Sequence, residues 1–240
     1  SKSSTVLHVQ NRKESHGASV GVVVSSDNVR VMMNNLWNLL DAEGITQELV
    51  EALTLLVDIT ISAATGMRGA NRRELKICTG SSVAIEIPNH LGEKRMEHGR
   101  QLDSEKLIPL TFGLNHTKTE QSVNGMSKGL LANLHVLDCG KLAYFMYMQI
   151  SYGLSGQFLD TEDSGWMEIP VLHGWNNNGE HISDSTQRKL WKQGLDGVGV
   201  LEKAEDYGCV VHSLRKLSTQ VMIGGGIGEG TVNRANNWVR

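Results

Sequence analysis

The chain has 240 residues, 40% of them hydrophobic and 20% charged, with a formal net charge of −3. That length suits one large domain or two small ones with a real core, and the charge excludes a uniformly basic nucleic-acid binder. No apolar run approaches the roughly 18 residues of a membrane span, the N-terminus lacks the apolar centre of a secretory signal, and three cysteines without a CxxC spacing argue against a disulfide framework or zinc site and for a reducing compartment.

Residues 1–27 are polar and read as an extended or partly disordered segment ahead of a single domain over 28–240. "DNVRVMMNNLWNLLDAEG" predicts a helix capped by Asp27 and stopped by Gly44, because Val29, Met32, Met33, Leu36, Trp37 and Leu40 recur at helical spacing. "TQELVEALTLLVDITISAATG" predicts a second helix, capped by Thr46, ended by Gly66 and apolar enough to be central and buried. "RRELKICTGSSVAIEIPN" shifts to strand-like alternation, and "KLIPLTFGLNHTKTEQSV" reads as a strand and turn, hence a hairpin. "DCGKLAYFMYMQISYGL" is an apolar helix, whose Tyr144, Tyr147 and Tyr152 read as core or its border. Residues 155–185 are mainly loop, interrupted by the short apolar "MEIPVLHGW". "SDSTQRKLWKQGLDGVG" is a capped helix, and the final stretch from Cys209 reads as helix, glycine turn, helix. The expected class is mainly α with a small β-sheet or hairpin (α+β).

Several motifs are weaker than they look. "GGGIGEG" is followed by no Lys and preceded by a helical run, so a turn is expected rather than a phosphate loop, and with it no nucleotide cofactor. His90 and His98, like His173 and His181, are eight apart; neither pair has the i, i+4 spacing of helical ligands, no HExxH occurs, and no metal is expected. The bases, however, are clustered. Residues 31–67 hold five acids and no Lys or Arg, and residues 160–184 hold six acids and none, whereas 68–106 hold eight bases against six acids and 210–240 four against one. A local patch of that kind can bind phosphate while the chain stays acidic, although the same bases could be ordinary solvated surface.

Within those segments five residues stand in a suggestive order. Arg68 follows the break at Thr65-Gly66, Lys118 sits in a polar turn, His212 and Arg215 project from one helix face, and Trp238 follows the last helix. Singly, each is common surface chemistry. Together they make a set suited to metal-free attack on a phosphodiester. Arginines give bidentate hydrogen bonds to the non-bridging oxygens as charge builds, a lysine protonates the leaving oxygen, and His and indole N–H groups donate to the phosphate.

Over residues 28–240 the chain resembles the catalytic domain of the tyrosine recombinases. "AATGMRGANRREL" resembles that family's first arginine box, "NHTKTEQ" its lysine hairpin, and "HSLRKLSTQVMIGGGIGEGTVNRANNW" its HxxR box, helix, turn, helix and terminal His-or-Trp. The "MRG" wording and the layout of "CGKLAYFMYMQISYG" and "MEIPVLHGW" are similar to two eukaryotic groups, the Crypton-type transposon recombinases and the recombinase-like DNA-binding subunit of the yeast point-centromere complex. The resemblance implies catalytic roles for Arg68, Lys118, His212, Arg215 and Trp238, and DNA-phosphate contacts from Arg72, Arg73, Lys76, Lys216 and Arg234. It also implies duplex DNA as partner, self-association on that DNA, a nuclear location, and no metal, nucleotide or other cofactor.

The family's nucleophilic tyrosine lies a short way beyond its terminal His or Trp, whereas here Trp238 is followed only by Val239 and Arg240. Tyr207 precedes the HxxR box, the wrong place for it. The resemblance therefore implies a fragment of a longer protein whose nucleophile lies past Arg240, or a domain that grips DNA architecturally without cleaving it. A helical structural protein with no DNA partner is a third reading, opposed by the clustered bases.

Overall fold

The computed structural model describes residues 24–39, 45–82, 85–86, 106–107, 109–114, 126–130, 137, 139–155, 164–175, 180–199 and 213–235. Its first helix, α1 (Ser26–Asn38), is capped by Ser25 and not by Asp27. Ser25 Oγ accepts from the Asn28 amide at 3.1 Å, and Asn28 Oδ1 accepts from the Ser25 amide at 3.1 Å, a reciprocal box in which Asn takes the place more often held by Glu or Gln. Asp27 lies instead in the first turn, where a carboxylate favours the positive end of the helix dipole. The predicted stripe of Val29, Met32, Met33, Leu36 and Trp37 is buried, and the Trp37 indole donates to the Leu137 carbonyl at 2.7 Å.

The second helix, α2 (Gln47–Thr65), follows its sequence reading at both ends. Thr46 Oγ1 accepts from the Leu49 amide at 3.2 Å, and Gly66 closes the helix with φ 62°, its amide donating to the Ser62 carbonyl at 2.9 Å. A side chain at Gly66 would be strained in that left-handed conformation. Nearly every residue from Leu49 to Ser62 is buried, so α2 is the axis on which the other elements pack.

A short helix, α3 (Gly69–Arg73), follows, then a 3-10 turn and the strands β1 (Gly80–Ser82), β2 (Ile85–Glu86), β3 (Lys106–Leu107), β4 (Leu110–Leu114) and β5 (Met126–Leu130). The strands form a three-stranded antiparallel sheet in the order β1-β4-β5 and a two-stranded one of β2 and β3. The expected hairpin is β4 with β5, in register from Leu110↔Leu130 to Leu114↔Met126. Four helices follow among the described residues: α4 (Gly140–Ser155), α5 (Asp184–Asp196), α6 (Ser213–Gly224) and α7 (Glu229–Ala235). Helices α1, α4, α5 and α6 all lie against α2, and β5 touches it from the sheet. At Gly194 of α5 an added Cβ would stand 2.7 Å from Leu55 Cδ2 and 2.8 Å from Met32 Sδ, which is why a glycine occupies this meeting point of three helices. No helix among the described residues is long and apolar enough to cross a membrane.

The apolar run before α5 is held by backbone bonds and isolated bridges rather than by a named strand. Ile77 N donates to Ile169 O at 2.9 Å, Val171 N to Leu75 O at 2.7 Å and Ile182 N to Leu172 O at 2.9 Å, while His173 pairs with His181 in an antiparallel bridge. The His173 ring is buried and stacked on Tyr147 with centroids 5.0 Å apart, and its Nε2 has no hydrogen-bond partner among the described residues. Burial holds its pKa below the ordinary value, against a weaker opposing pull from the Gly174 carbonyl. The unfolded chain therefore takes up a proton near pH ~6.5 that the folded chain resists, so stability is complete above that pH and falls as pH drops below it. Thermal unfolding between pH 7.5 and pH 5 is expected to show this fall, and His173→Phe, which keeps the stacking, should make the profile flatter. An unchanged slope would remove His173 as its source.

Candidate functional site

The turn that delivers Arg68 is fastened at each residue before it. Thr65 Oγ1 donates to the Ile61 carbonyl at 2.5 Å and accepts from the Met67 amide at 3.2 Å. The Thr65 carbonyl, at the negative end of α2, accepts from Lys128 Nζ of β5 at 2.7 Å, a placement that favours a cation. Met67 is buried, and its carbonyl accepts from Arg72 Nη1 at 2.6 Å. Arg68 then caps α3 with an extended backbone (φ −68°, ψ 152°) and a half-buried side chain. Its own carbonyl accepts from the Arg72 amide at 3.1 Å, but its guanidinium makes no hydrogen bond or ion pair among the described residues. A guanidinium carried on a fastened turn, with its donors uncommitted, is suited to an oxyanion that offers two oxygens side by side, such as phosphate or carboxylate.

Arg72 requires a correction. Expected from the sequence to meet DNA phosphate, it is 0% exposed and lies in the core. Its Nε donates to Asp58 Oδ1 at 2.5 Å and its Nη2 to Asp58 Oδ2 at 3.3 Å, while the guanidinium sits 5.9 Å from the Trp191 ring centroid. Asp58 Oδ2 also accepts from the Trp191 indole at 2.5 Å and from Gln187 Nε2 at 2.9 Å. Two charges out of water survive only with such saturation of their hydrogen bonds. A group so enclosed cannot reach a ligand outside the domain.

Arg73 and Lys76 lie nearer the surface and are engaged there. Arg73 Nη1 donates to Asp184 Oδ1 at 2.8 Å and to Gln187 Oε1 at 2.5 Å, and Arg188 Nε donates to the other Asp184 oxygen at 2.6 Å. The Arg188 hydrogen bond is the main reason the Asp184 pKa is lowered. Lys76 pairs with Glu168, which raises the lysine's pKa. Among the three arginines of residues 68–73, Arg68 is thus the one whose guanidinium is open to an added anion.

Lys118, His212 and Trp238, and the side chains of Arg215, Lys216 and Arg234, lie outside the described residues. Helix α6 packs against α2, the helix whose end precedes the Arg68 turn. Leu214 is buried, and a groove of about 350 Å³ lies between Val29 and Met33 of α1, Ala63 and Ala64 near the end of α2, and Leu217, Ser218 and Met222 of α6. Among the described residues no cluster of His, Cys, Asp and Glu could hold a metal ion. The sequence reading missed Asp58, Lys128, Gln187 and Trp191. Of these, Asp58 carried a signal, being the one acid among the apolar residues of α2 between Ala52 and Thr65.

Comparison with solved structures fixes the fold. The chain is similar to XerH site-specific recombinase bound to palindromic difH substrate in a post-cleavage complex, with TM-score 0.56 and 12% identity over 95% of this chain and 49% of that one. It is also similar to XerH bound to difH substrate in a pre-cleavage complex, with TM-score 0.52 and 12% identity over 90% of this chain and 47% of that one. The chain spans about half the length of these solved chains. No family model matches it, and no curated protein matches it. The mainly helical domain with its small antiparallel sheet is tyrosine-recombinase-like in fold.

Proposed function

We propose that the domain binds duplex DNA and grips a backbone phosphate with Arg68, as the phosphate-binding part of a recombinase-type domain. The observation that carries this reading is the Arg68 guanidinium, uncommitted among the described residues yet mounted on a turn fastened through Thr65 and Met67. The fold supports it, since the similar XerH chains are bound to their difH substrates. In this proposal Lys118, His212, Arg215 and Trp238 complete the site. Arg215 would share the non-bridging oxygens with Arg68, Lys118 would protonate the leaving oxygen, and Trp238 and His212 would donate further hydrogen bonds. Arg73, Lys76, Lys216 and Arg234 would add dispersed phosphate contacts, the first two by exchanging a surface carboxylate for phosphate. A Crypton-type lineage, self-association on DNA and a nuclear location belong to the same proposal.

A second reading, architectural DNA binding without cleavage as in the centromere-type relatives, is favoured by one observation. Tyr144 and Tyr147 are buried in the core. Both readings require DNA, so titration of a labelled duplex at low and at moderate salt tests them together. Binding is expected to weaken steeply with salt as counterions are released. Arg68→Ala is expected to lower affinity at each salt and to reduce the slope of log K against log salt by about one. No binding by the unmodified chain even at low salt would remove both readings.

A further inference from the structure

We infer that Asp58, buried in α2, is the positioning residue for Arg68, acting through Arg72 and the Met67 carbonyl. The inference rests on the phosphate-gripping role proposed for Arg68 and adds the device that aims it. The connection runs through a few atoms. Asp58 takes Arg72 in a two-point grip, Nε on Oδ1 and Nη2 on Oδ2. A guanidinium is planar and rigid, so a carboxylate that holds Nε and Nη2 also fixes where Nη1 points. Nη1 points to the carbonyl of Met67, the residue joined to Arg68 by the next peptide bond.

The carboxylate itself cannot turn, because Oδ2 is also held by the Trp191 indole and by Gln187 Nε2, both from α5. Arg72 closes the circuit by donating its amide to the Arg68 carbonyl. The peptide planes on both sides of Arg68 are therefore referred to one buried carboxylate in the central helix. Lys128 fixes the turn's other end at Thr65. Free rotation of the Met67 peptide would spread the Arg68 side chain over many directions, and an added phosphate would bear the entropy of collecting it.

The test separates aim from stability. Removing Asp58 alone strands a buried cation, so the useful variant is Asp58→Asn with Arg72→Met. It leaves an amide oxygen for the Trp191 indole, fills the guanidinium's space and buries no charge. Duplex affinity and thermal unfolding are measured for the unmodified chain, this pair, Arg68→Ala, and all three changes together. The pair is expected to lower affinity about tenfold, the effect of removing one charge-assisted hydrogen bond to the phosphate. It should have no further effect once Arg68 is alanine, whatever it does to the melting temperature. Gln187→Met, which drops one donor to Asp58 and keeps the ion pair, is the milder probe. It should show the same coupling at about two- to threefold. Equal reductions with and without Arg68, or full affinity in the folded pair, would overturn the inference and leave DNA binding standing. Absence of DNA binding by the unmodified chain would overturn the inference together with the function on which it rests.

Discussion

Asp58→Ala is expected to unfold the domain or bring it to the edge of unfolding. The substitution leaves the Arg72 guanidinium buried at 0% exposure with, among the described residues, only the Met67 carbonyl to accept from it. Breaking a buried pair in this way costs about 3–5 kcal/mol. The Trp191 indole and the Gln187 amide are deprived of their shared acceptor at the same time, and each buried donor left unmet adds about 1–3 kcal/mol. A domain of this kind holds about 5–15 kcal/mol in all, so even partial relaxation consumes much of its stability. Urea unfolding followed by tryptophan fluorescence, to which the buried Trp191 and Trp37 contribute, measures the effect. Arg73→Ala is the control, since Arg73 pairs with Asp184, whose side chain is 50% exposed, and solvent screens that pair to below about 1 kcal/mol. If the two substitutions shift the midpoint equally, Asp58 is not a buried hub.

The elements themselves were largely legible because their signals are local. Thr46 before an apolar helix and Gly66 after it bracket α2, and both ends fall where the caps put them. The start of α1 was harder to read. Three side chains in a row (Ser25, Ser26 and Asp27) can each cap, and the choice depends on Asn28 closing the box with Ser25. Arg72 and Arg73 show where local reading stops. Adjacent arginines look alike in sequence, but a short helix turns one toward α2 and the other toward α5. What decides between them is Asp58, fourteen positions earlier, together with Gln187 and Trp191 more than a hundred positions later. Only the isolated acid in an apolar helix hinted that an arginine had to be spent inside. Lys128 gave no such hint. Its hydrogen bond to Thr65 depends on β5 lying against the end of α2, which no spacing announces.

Exposing the chain to a nicked duplex that traps covalent intermediates is expected to yield a bound complex and no phosphotyrosyl adduct. Cleavage needs a phenolate brought in line with the phosphate that the proposed site would hold at Arg68. Tyr147 is 0% exposed, and its hydroxyl is committed in both directions, donating to the His173 carbonyl at 2.5 Å and accepting from the His173 amide at 3.0 Å. Tyr144 is 5% exposed and packs edge-on against Phe112 and Phe145, with centroids 5.7 and 5.6 Å away. Turning either ring out would open the core between α2 and α4, at a cost of about 1.5–3 kcal/mol from the burial forgone and more for the cavity left behind. Tyr144→Phe and Tyr147→Phe should therefore leave DNA affinity unchanged, whereas Tyr147→Phe should lower the melting temperature by removing the His173 clamp. Denaturing electrophoresis of the trapped mixture reads the outcome directly. A covalent band whose labelled peptide maps to Tyr152 or Tyr207 would establish a nucleophile within these 240 residues. Arg68→Ala would then be expected to cut its yield about a hundredfold or more, because a donor aimed at developing charge contributes most in the transition state.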